Sequence, residues 1–406
     1  MRARRLLPLA VPLLVIAAII SSMLWTQHLE ARHPRADFVP PVSYREARAA
    51  LAAAQAHETA FRASQFQQAG IVNAEQLPQM QTVYFAQTGH HVSNRSGFLN
   101  FWRANGQIHT FGYPLTEEFV EDGRIVQYFE RARFEYHPEL PADEQVQLGL
   151  LGRDLLAYQG FPAPLEDPQT GVRYFPETGH TLWGEFHKAW EKRGGMRIFG
   201  FPLSETVDEG GRLVQYFERA KFIYFPEDLP SFFQSMRAST GYRINSLHEV
   251  QLSDLGRQLA QIRGVNIAPV TQMPGTLTWH PAIWERRIEV SLSEQWLSAY
   301  EGDLLVFRAP VATGRDGFNT PVGEYAIYLK YPMQTMADCM GGECWEVPNI
   351  PWVQYVVGGV ALHGTYWHDN HGTGIRASHG CINLRIDDAE WLYGWADLGT
   401  RVIISY

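Results

Sequence analysis

The sequence is poor in cysteine, with three in 406 residues, at positions 339, 344 and 381. Three clustered thiols cannot staple a chain of this length, so its folded parts must stand on hydrophobic cores and each cysteine needs its own explanation. It also lacks an excess of positive charge. Lys and Arg total 34 against 43 Asp and Glu, a formal net charge of -9, which argues against a general nucleic-acid binder because such proteins need a basic footprint. With 45% hydrophobic and 19% charged residues, the chain is neither wholly disordered nor collagenous nor mostly membrane-embedded. At about 100 to 200 residues per domain, its length predicts two to four domains.

One long uncharged run stands near the start. Arg2, Arg4 and Arg5 precede Leu6 to Trp25, which carries no charge; at 1.5 Å per residue that run reaches roughly 30 Å, about one bilayer core. Basic residues on the N-terminal side place the rest of the chain outside the cytoplasm. Residues 1–26 are therefore expected to be a membrane anchor, with a cleaved signal as the alternative. Residues 27–80 are expected to form a linker and helical stalk, since Ser43 and Glu46 make a capping box ahead of an Ala-rich run to about Gln67.

Between 84 and 227 the sequence repeats itself. Tyr84-Phe-Ala-Gln-Thr-Gly-His90 returns as Tyr174-Phe-Pro-Glu-Thr-Gly-His180, and Phe111-Gly-Tyr-Pro-Leu returns as Phe199-Gly-Phe-Pro-Leu. Gln127-Tyr-Phe-Glu-Arg-Ala-Arg133 returns as Gln215-Tyr-Phe-Glu-Arg-Ala-Lys221, and a further echo at 146–155 and 250–259 ends each copy in a helix, with an insertion near 228–243 in the second. The spacing is too long for a thin solenoid, so two small α+β modules are expected, 81–160 and 170–265, each with its own core. A linker at 266–284 follows. The Phe-Gly-aromatic-Pro-Leu signature resembles the LGFP repeats of cell-wall-attached bacterial proteins, which implies envelope or carbohydrate contact, with Trp190 on a possible contact face. His90 and His180 read as turn residues, and Glu130 and Arg133 as a solvated face.

From about Trp279 the texture changes to short strands, at 287–292, 304–311, 323–329, 353–362 and 401–406, which predicts a sandwich-like sheet. A helix is expected after Asp387, read as its cap, with Trp391, Leu392 and Trp395 as its buried stripe. The chemistry lies between them: His363, then fourteen residues, then Ser378-His-Gly-Cys-Ile-Asn383. A histidine at the end of an apolar strand and a cysteine among small and polar residues are what a thiol nucleophile and its base require.

This pattern, with Thr313-Gly314 and Thr320-Pro-Val-Gly-Glu-Tyr325, resembles the L,D-transpeptidase catalytic domain, also called the YkuD domain, over 285–406. The resemblance implies a multidomain chain whose mainly-β, β-sandwich-like C-terminal domain carries one helix. It further implies an extracytoplasmic acyltransferase of the bacterial cell envelope: Cys381 attacks the third residue of a peptidoglycan stem peptide, D-alanine leaves, and an amine resolves the thioester into a 3-3 cross-link. Water as acceptor would make the same domain an L,D-carboxypeptidase; a non-catalytic wall-binding scaffold is the other alternative. By the same resemblance His363 is the base and the amides near His379, Gly380 and Cys381 hold the oxyanion, with Ser378 and Asn383 shaping the loop. Tyr366, Trp367 and Trp352 are candidates for the substrate wall. The Cys381 pKa is expected to lie below the free value of about 8.5.

His363, His368, His371, His379 and Asp369 invite a zinc reading, but the helical His-Glu-x-x-His spacing is absent. No metal and no cofactor is expected. Cys339 and Cys344 fall in a Gly-rich segment expected to be a loop acting as a lid, either bridged or as two free thiols.

Overall fold

The computed structural model describes residues 82–164, 173–182, 184–228, 234, 249–340 and 342–406. The apolar run 6–25, the stalk 27–80 and most of the 228–243 insertion lie outside the described residues. Among the described residues no helix is long and apolar enough to cross a membrane.

The two similar stretches run through the same order of elements. The first has β1 (Thr82–Phe85), β2 (His90–Ser93), α1 (Phe98–Ala104), α2 (Gln107–Phe111), β3 (Phe119–Glu121), β4 (Arg124–Tyr128), β5 (Arg133–Tyr136), β6 (Val146–Leu148) and α3 (Leu151–Gln159). The second has β7 (Arg173–Phe175), β8 (His180–Leu182), α4 (Gly184–Lys192), α5 (Gly195–Phe199), β9 (Val207–Glu209), β10 (Arg212–Tyr216), β11 (Lys221–Tyr224), β12 (Val250–Leu252) and α6 (Leu255–Ile262). Strands β3 to β6 form one antiparallel sheet and β9 to β12 another.

The helices that end the two stretches are exchanged. Leu151, Leu155 and Leu156 of α3 pack with Leu203, Val214 and Tyr216 of the second stretch, while Ala260 of α6 packs with Leu115, Val126 and Tyr128 of the first. The Glu218 carbonyl accepts from the Gly152 amide at 2.9 Å, and the Glu130 carbonyl from the Arg257 amide at 3.0 Å. Only glycine tolerates the approach: a Cβ at Gly152 would lie 1.8 Å from the Phe217 oxygen, and one at Gly256 2.1 Å from the Phe129 oxygen. Glu130 is consequently no solvated face, because its carboxylate binds Arg257 at 2.8 Å, as Glu218 binds Arg153 at 2.7 Å. Nor does each stretch keep a core to itself: one cluster joins Phe85, Trp102 and Phe134 to Phe175, Trp190 and Phe222.

Two further expectations are corrected. Within residues assigned to a linker, β13 (Leu277–Thr278) pairs in parallel with β1, and Trp279, Ile283 and Trp284 enter the same core. Their apolar side chains bury better than a solvated linker would allow. Trp190 is only 4% exposed and donates its ring N–H to the Gly200 carbonyl at 2.9 Å, so it is a core residue and not a contact face.

The C-terminal domain is two sheets. One runs β16-β15-β14-β22-β17, from β14 (Arg286–Ser291), β15 (Trp296–Glu301), β16 (Leu304–Pro310), β17 (Gly323–Ala326) and β22 (Arg401–Ser405). The other runs in sequence order through β18 (Leu329–Met340), β19 (Glu343–Val357), β20 (Val360–Gly364) and β21 (Ile382–Leu384). Between them Ile288, Leu297 and Val402 meet Val356, Leu362, Ile382 and Leu384, which is the sandwich-like core. The helix α7 (Ile386–Trp395) adds Ala389, Leu392 and Trp395 to it. Its N-cap is Arg385 with no side-chain cap bond; Asp387, expected as the cap, lies inside the first turn and pairs with Lys192 of α4. The expected single strand 353–362 is two, because Gly358, at φ 52°, turns the chain back between Val357 and Val360.

The repeats dock on this domain through a buried ion pair. The Arg103 guanidinium donates to the Glu301 carboxylate at 3.2 Å and to its carbonyl at 2.7 Å, lies 3.9 Å over Trp284, and shares Glu301 with the Trp395 ring N–H at 3.1 Å. Removing one partner strands the other charge in the interior. Arg103→Ala is therefore expected to destabilise by about 3 to 5 kcal/mol, read as a fall in the urea midpoint; an unchanged midpoint would sink this account.

Candidate active site

Strands β20 and β21 lie side by side in parallel, with Leu362 opposite Ile382 and His363 opposite Asn383. Leu362, Ile382 and Leu384 face the sandwich core. By strand alternation Ala361, His363 and Asn383 face the other way. Cys381, immediately before β21, packs on that outer face with Ala361, Tyr355, Met336, Ile350 and Val353. The structure thus brings the free cysteine and His363 to adjoining strands of one sheet, though fourteen residues separate His363 from Ser378 in sequence.

The loop before Cys381 is tied down from several sides. Ser378 Oγ donates to the Cys381 carbonyl at 2.6 Å and accepts from the Gly380 amide at 3.1 Å. Gly380 sits at φ 120°, a conformation that side chains disfavour. Thr320 donates its hydroxyl to the Gly380 carbonyl at 2.8 Å and accepts from the Gly314 amide at 2.9 Å, so the Thr-Gly and Thr-Pro segments are the loop's supports. Because the Gly380 amide is engaged by Ser378, it is not a free oxyanion donor as expected; the neighbouring amides of His379 and Cys381 remain the candidates.

His363 is held by its own neighbour, a partner invisible in the sequence. Its Nδ1 lies 3.1 Å from the Gly364 carbonyl. A carbonyl only accepts, so Nδ1 carries the hydrogen and Nε2 keeps its lone pair. Burial, with His368 and His371 nearby, pushes His363 down to about 4, so the ring is a neutral base at physiological pH. Burial also pushes the Cys381 thiol up to about 11, against a small opposing effect of a hydrogen bond from Ala361. This reverses the expected thiolate: the residue keeps part of its surface, but among the described residues no cation is bonded to the sulfur, and the apolar hairpin around it penalises a charge.

That hairpin is β18 and β19, which stay paired out to Met340 and Glu343, through a segment where the sequence predicts a loop. Cys339 and Cys344 face each other across it and form a disulfide. Trp345 of the tip stacks on His379 at 5.1 Å, and Phe318 meets the other flank of that ring at 4.9 Å. Arg315 donates to His379 Nε2 at 3.0 Å, which occupies that nitrogen's lone pair, whereas the Nε2 of His363 keeps its own.

The aromatic candidates divide. Trp367 is 40% exposed with its ring 5.8 Å from His363, and Tyr366 meets it edge-on at 4.9 Å while donating its hydroxyl to the Pro348 carbonyl. Trp352 does not join them. It packs against the sandwich core, not with Val353 and Tyr355, and lies 5.3 Å from Tyr393. Tyr355 was missed by sequence reasoning: it sits opposite Ala361 on the cysteine's face, donates to Gln334 at 2.8 Å, and has its hydroxyl pKa raised by burial and by Cys381.

The remaining histidines form a support, not a centre. His368 Nδ1 accepts from the Asn370 amide at 3.2 Å, so Nε2 carries the hydrogen, and Asn383 at 2.9 Å must present its oxygen to it. Among the described residues no three His, Cys, Asp or Glu side chains gather closely enough to hold a metal ion.

The family profile for the L,D-transpeptidase catalytic domain, YkuD, matches residues 285–404. "Probable L,D-transpeptidase 3" of Mycobacterium tuberculosis is 33% identical over 102 residues, 24% of this chain and 38% of that protein, so the chain spans well under half of that relative. A solved L,D-transpeptidase from Mycobacterium smegmatis aligns over 46% of this chain and 91% of its own, at 19% identity and a TM-score of 0.29. The "Putative L,D-transpeptidase YkuD" of Bacillus licheniformis is 30% identical over 139 residues, which are 34% of this chain and 73% of that protein. With a relative matched over most of its length and a family profile whose span of 285–404 takes in both His363 and Cys381, the chain belongs to the L,D-transpeptidase (YkuD) family.

Proposed function

We propose that this chain is an extracytoplasmic cysteine L,D-transpeptidase acting on peptidoglycan stem peptides, with Cys381 as nucleophile and His363 as general base and acid. The observation that carries the reading is the placement of a neutral, Nδ1-protonated His363 on β20 and of the free Cys381 immediately before the adjoining β21. As the sulfur attacks the peptide carbonyl, its proton passes to His363 Nε2, and the amides of His379 and Cys381 receive the developing oxyanion. The intermediate collapses with cleavage of the C–N bond; His363 returns the proton to the leaving D-alanine amine. The acceptor's amine then attacks the thioester, loses a proton to His363 and expels the sulfur, which recovers that proton. A neutral thiol with a neutral base suits this sequence, because the charge is created only as the bond forms.

The Cys339–Cys344 disulfide supports an oxidising compartment, and so a role for residues 6–25 as membrane anchor or signal. The repeats would contact wall polymer. Full-length protein incubated with a disaccharide-tetrapeptide, followed by mass spectrometry, tests the reading: a cross-linked dimer with loss of D-alanine is expected. Hydrolysed tripeptide alone would make the enzyme a carboxypeptidase, and unchanged substrate would overturn both.

A further inference from the structure

At the mouth of the site a cation is held by an internal acid. The Arg315 amide donates to the Ser378 carbonyl at 3.0 Å, which fixes its backbone beside the catalytic loop. Its guanidinium lies 4.7 Å over Phe318, donates to His379 Nε2 at 3.0 Å, and pairs with the Glu343 carboxylate at the hairpin tip. Glu343 Oε2 is also 3.5 Å from His379 Nε2. Both partners reach solvent, with side chains 37% and 52% exposed. A pair so exposed contributes little to stability, so a competing carboxylate can replace Glu343 without a large penalty. The guanidinium fork is the side chain best matched to a carboxylate. His379, on which it leans, is two residues from Cys381.

We infer that Arg315 is a specificity-determining residue that binds a free carboxylate of the donor peptide, and that Glu343 occupies its place in the resting enzyme as a built-in stand-in. The inference rests on the transpeptidase reading and narrows it to peptides carrying a carboxylate near the scissile bond, either the C-terminal one of the leaving residue or a side-chain one on the residue attacked. When the peptide's carboxylate displaces Glu343, the tip loses its ion pair to the catalytic loop and keeps only the stacking of Trp345 on His379.

The test compares, on the full chain, a free-acid tetrapeptide donor with the same peptide amidated at its C-terminus and with one amidated at the side chain. The wild type is expected to favour the free acid in kcat/KM over one of the two amides, which identifies the carboxylate. Arg315→Ala is expected to collapse that preference, a loss of about 10- to 100-fold for a hydrogen bond to a charged group, carried mainly by KM. Arg315→Lys should recover part of it, and Glu343→Gln should lower the KM for the acid. A second arm needs no peptide turnover: the ratio of iodoacetate to iodoacetamide alkylation rates at Cys381 should fall in Arg315→Ala and rise in Glu343→Gln. Were no peptide turned over by the wild type, the transpeptidase reading would fail and the alkylation ratios alone would judge whether Arg315 attracts an anion to the sulfur. Turnover with equal acid and amide preference in wild type and Arg315→Ala, or alkylation ratios unmoved in both variants, would overturn the inference.

Discussion

Replacing Cys381 by alanine is expected to remove all covalent capture by a carbapenem, whose strained ring the sulfur opens, and to reduce transpeptidation by a factor on the order of 10⁴ or more, as loss of a nucleophile does in other covalent enzymes. Cys339 and Cys344 cannot substitute, being joined to each other. The companion variant carries the sharper information. In His363→Ala the thiol has lost its proton acceptor, and the acylation rate should drop by about 10² to 10⁴ at neutral pH. It should then climb about tenfold per pH unit toward the thiol's own ionisation near 11, whereas the wild-type rate stays level across the range above the His363 pKa of about 4. Mass spectrometry of the intact protein at timed intervals measures both slopes. A flat profile in His363→Ala would mean that another group takes the proton.

Alkylation of the resting enzyme by iodoacetamide is expected to be slow, contrary to what a cysteine protease-like thiolate would give. With burial pushing the thiol to about 11, the thiolate fraction at pH 7 is about 10⁻⁴, roughly 300-fold below that of a free cysteine near 8.5. A more basic sulfur is intrinsically the better nucleophile by about tenfold over this interval, which leaves Cys381 roughly 30-fold slower than a model thiol. The rate should rise with pH without inflecting below 10. An inflection under 8.5 would show that a cation reaches the sulfur and that the neutral-pair mechanism is wrong.

The candidate catalytic residues are legible because their signals are local. Ser378 to Asn383 is one contiguous loop and strand start, and the apolar run ending at His363 announces its strand. Their meeting was not, since register between β20 and β21 depends on pairing across the sheet. The sign of the Cys381 shift escapes the sequence for the same reason: Met336 and Ile350, which help bury the sulfur, arrive from the part of the hairpin that reads as a lid loop. Trp352 is a different kind of miss, because its backbone at φ 58° breaks the alternation there and its ring packs against the sandwich core. Asp387 looked like a cap on residue type alone, yet the helix begins one residue earlier and spends that carboxylate on Lys192. The exchange of α3 and α6 left a trace in Gly152 and Gly256, but a Leu-Gly-Arg triplet does not say which sheet it will meet.

That exchange has a consequence for the protein's resistance to cleavage. Gly160 and Phe161, just after α3, are exposed and offer a protease a natural point of attack. Cutting there would leave one fragment ending in α3, seated on the other's sheet, and a second fragment whose α6 is seated on the first. Each half would be the other's clasp. The nicked chain should run as two bands once denatured and travel as one species, with the catalytic domain still attached, in native buffer.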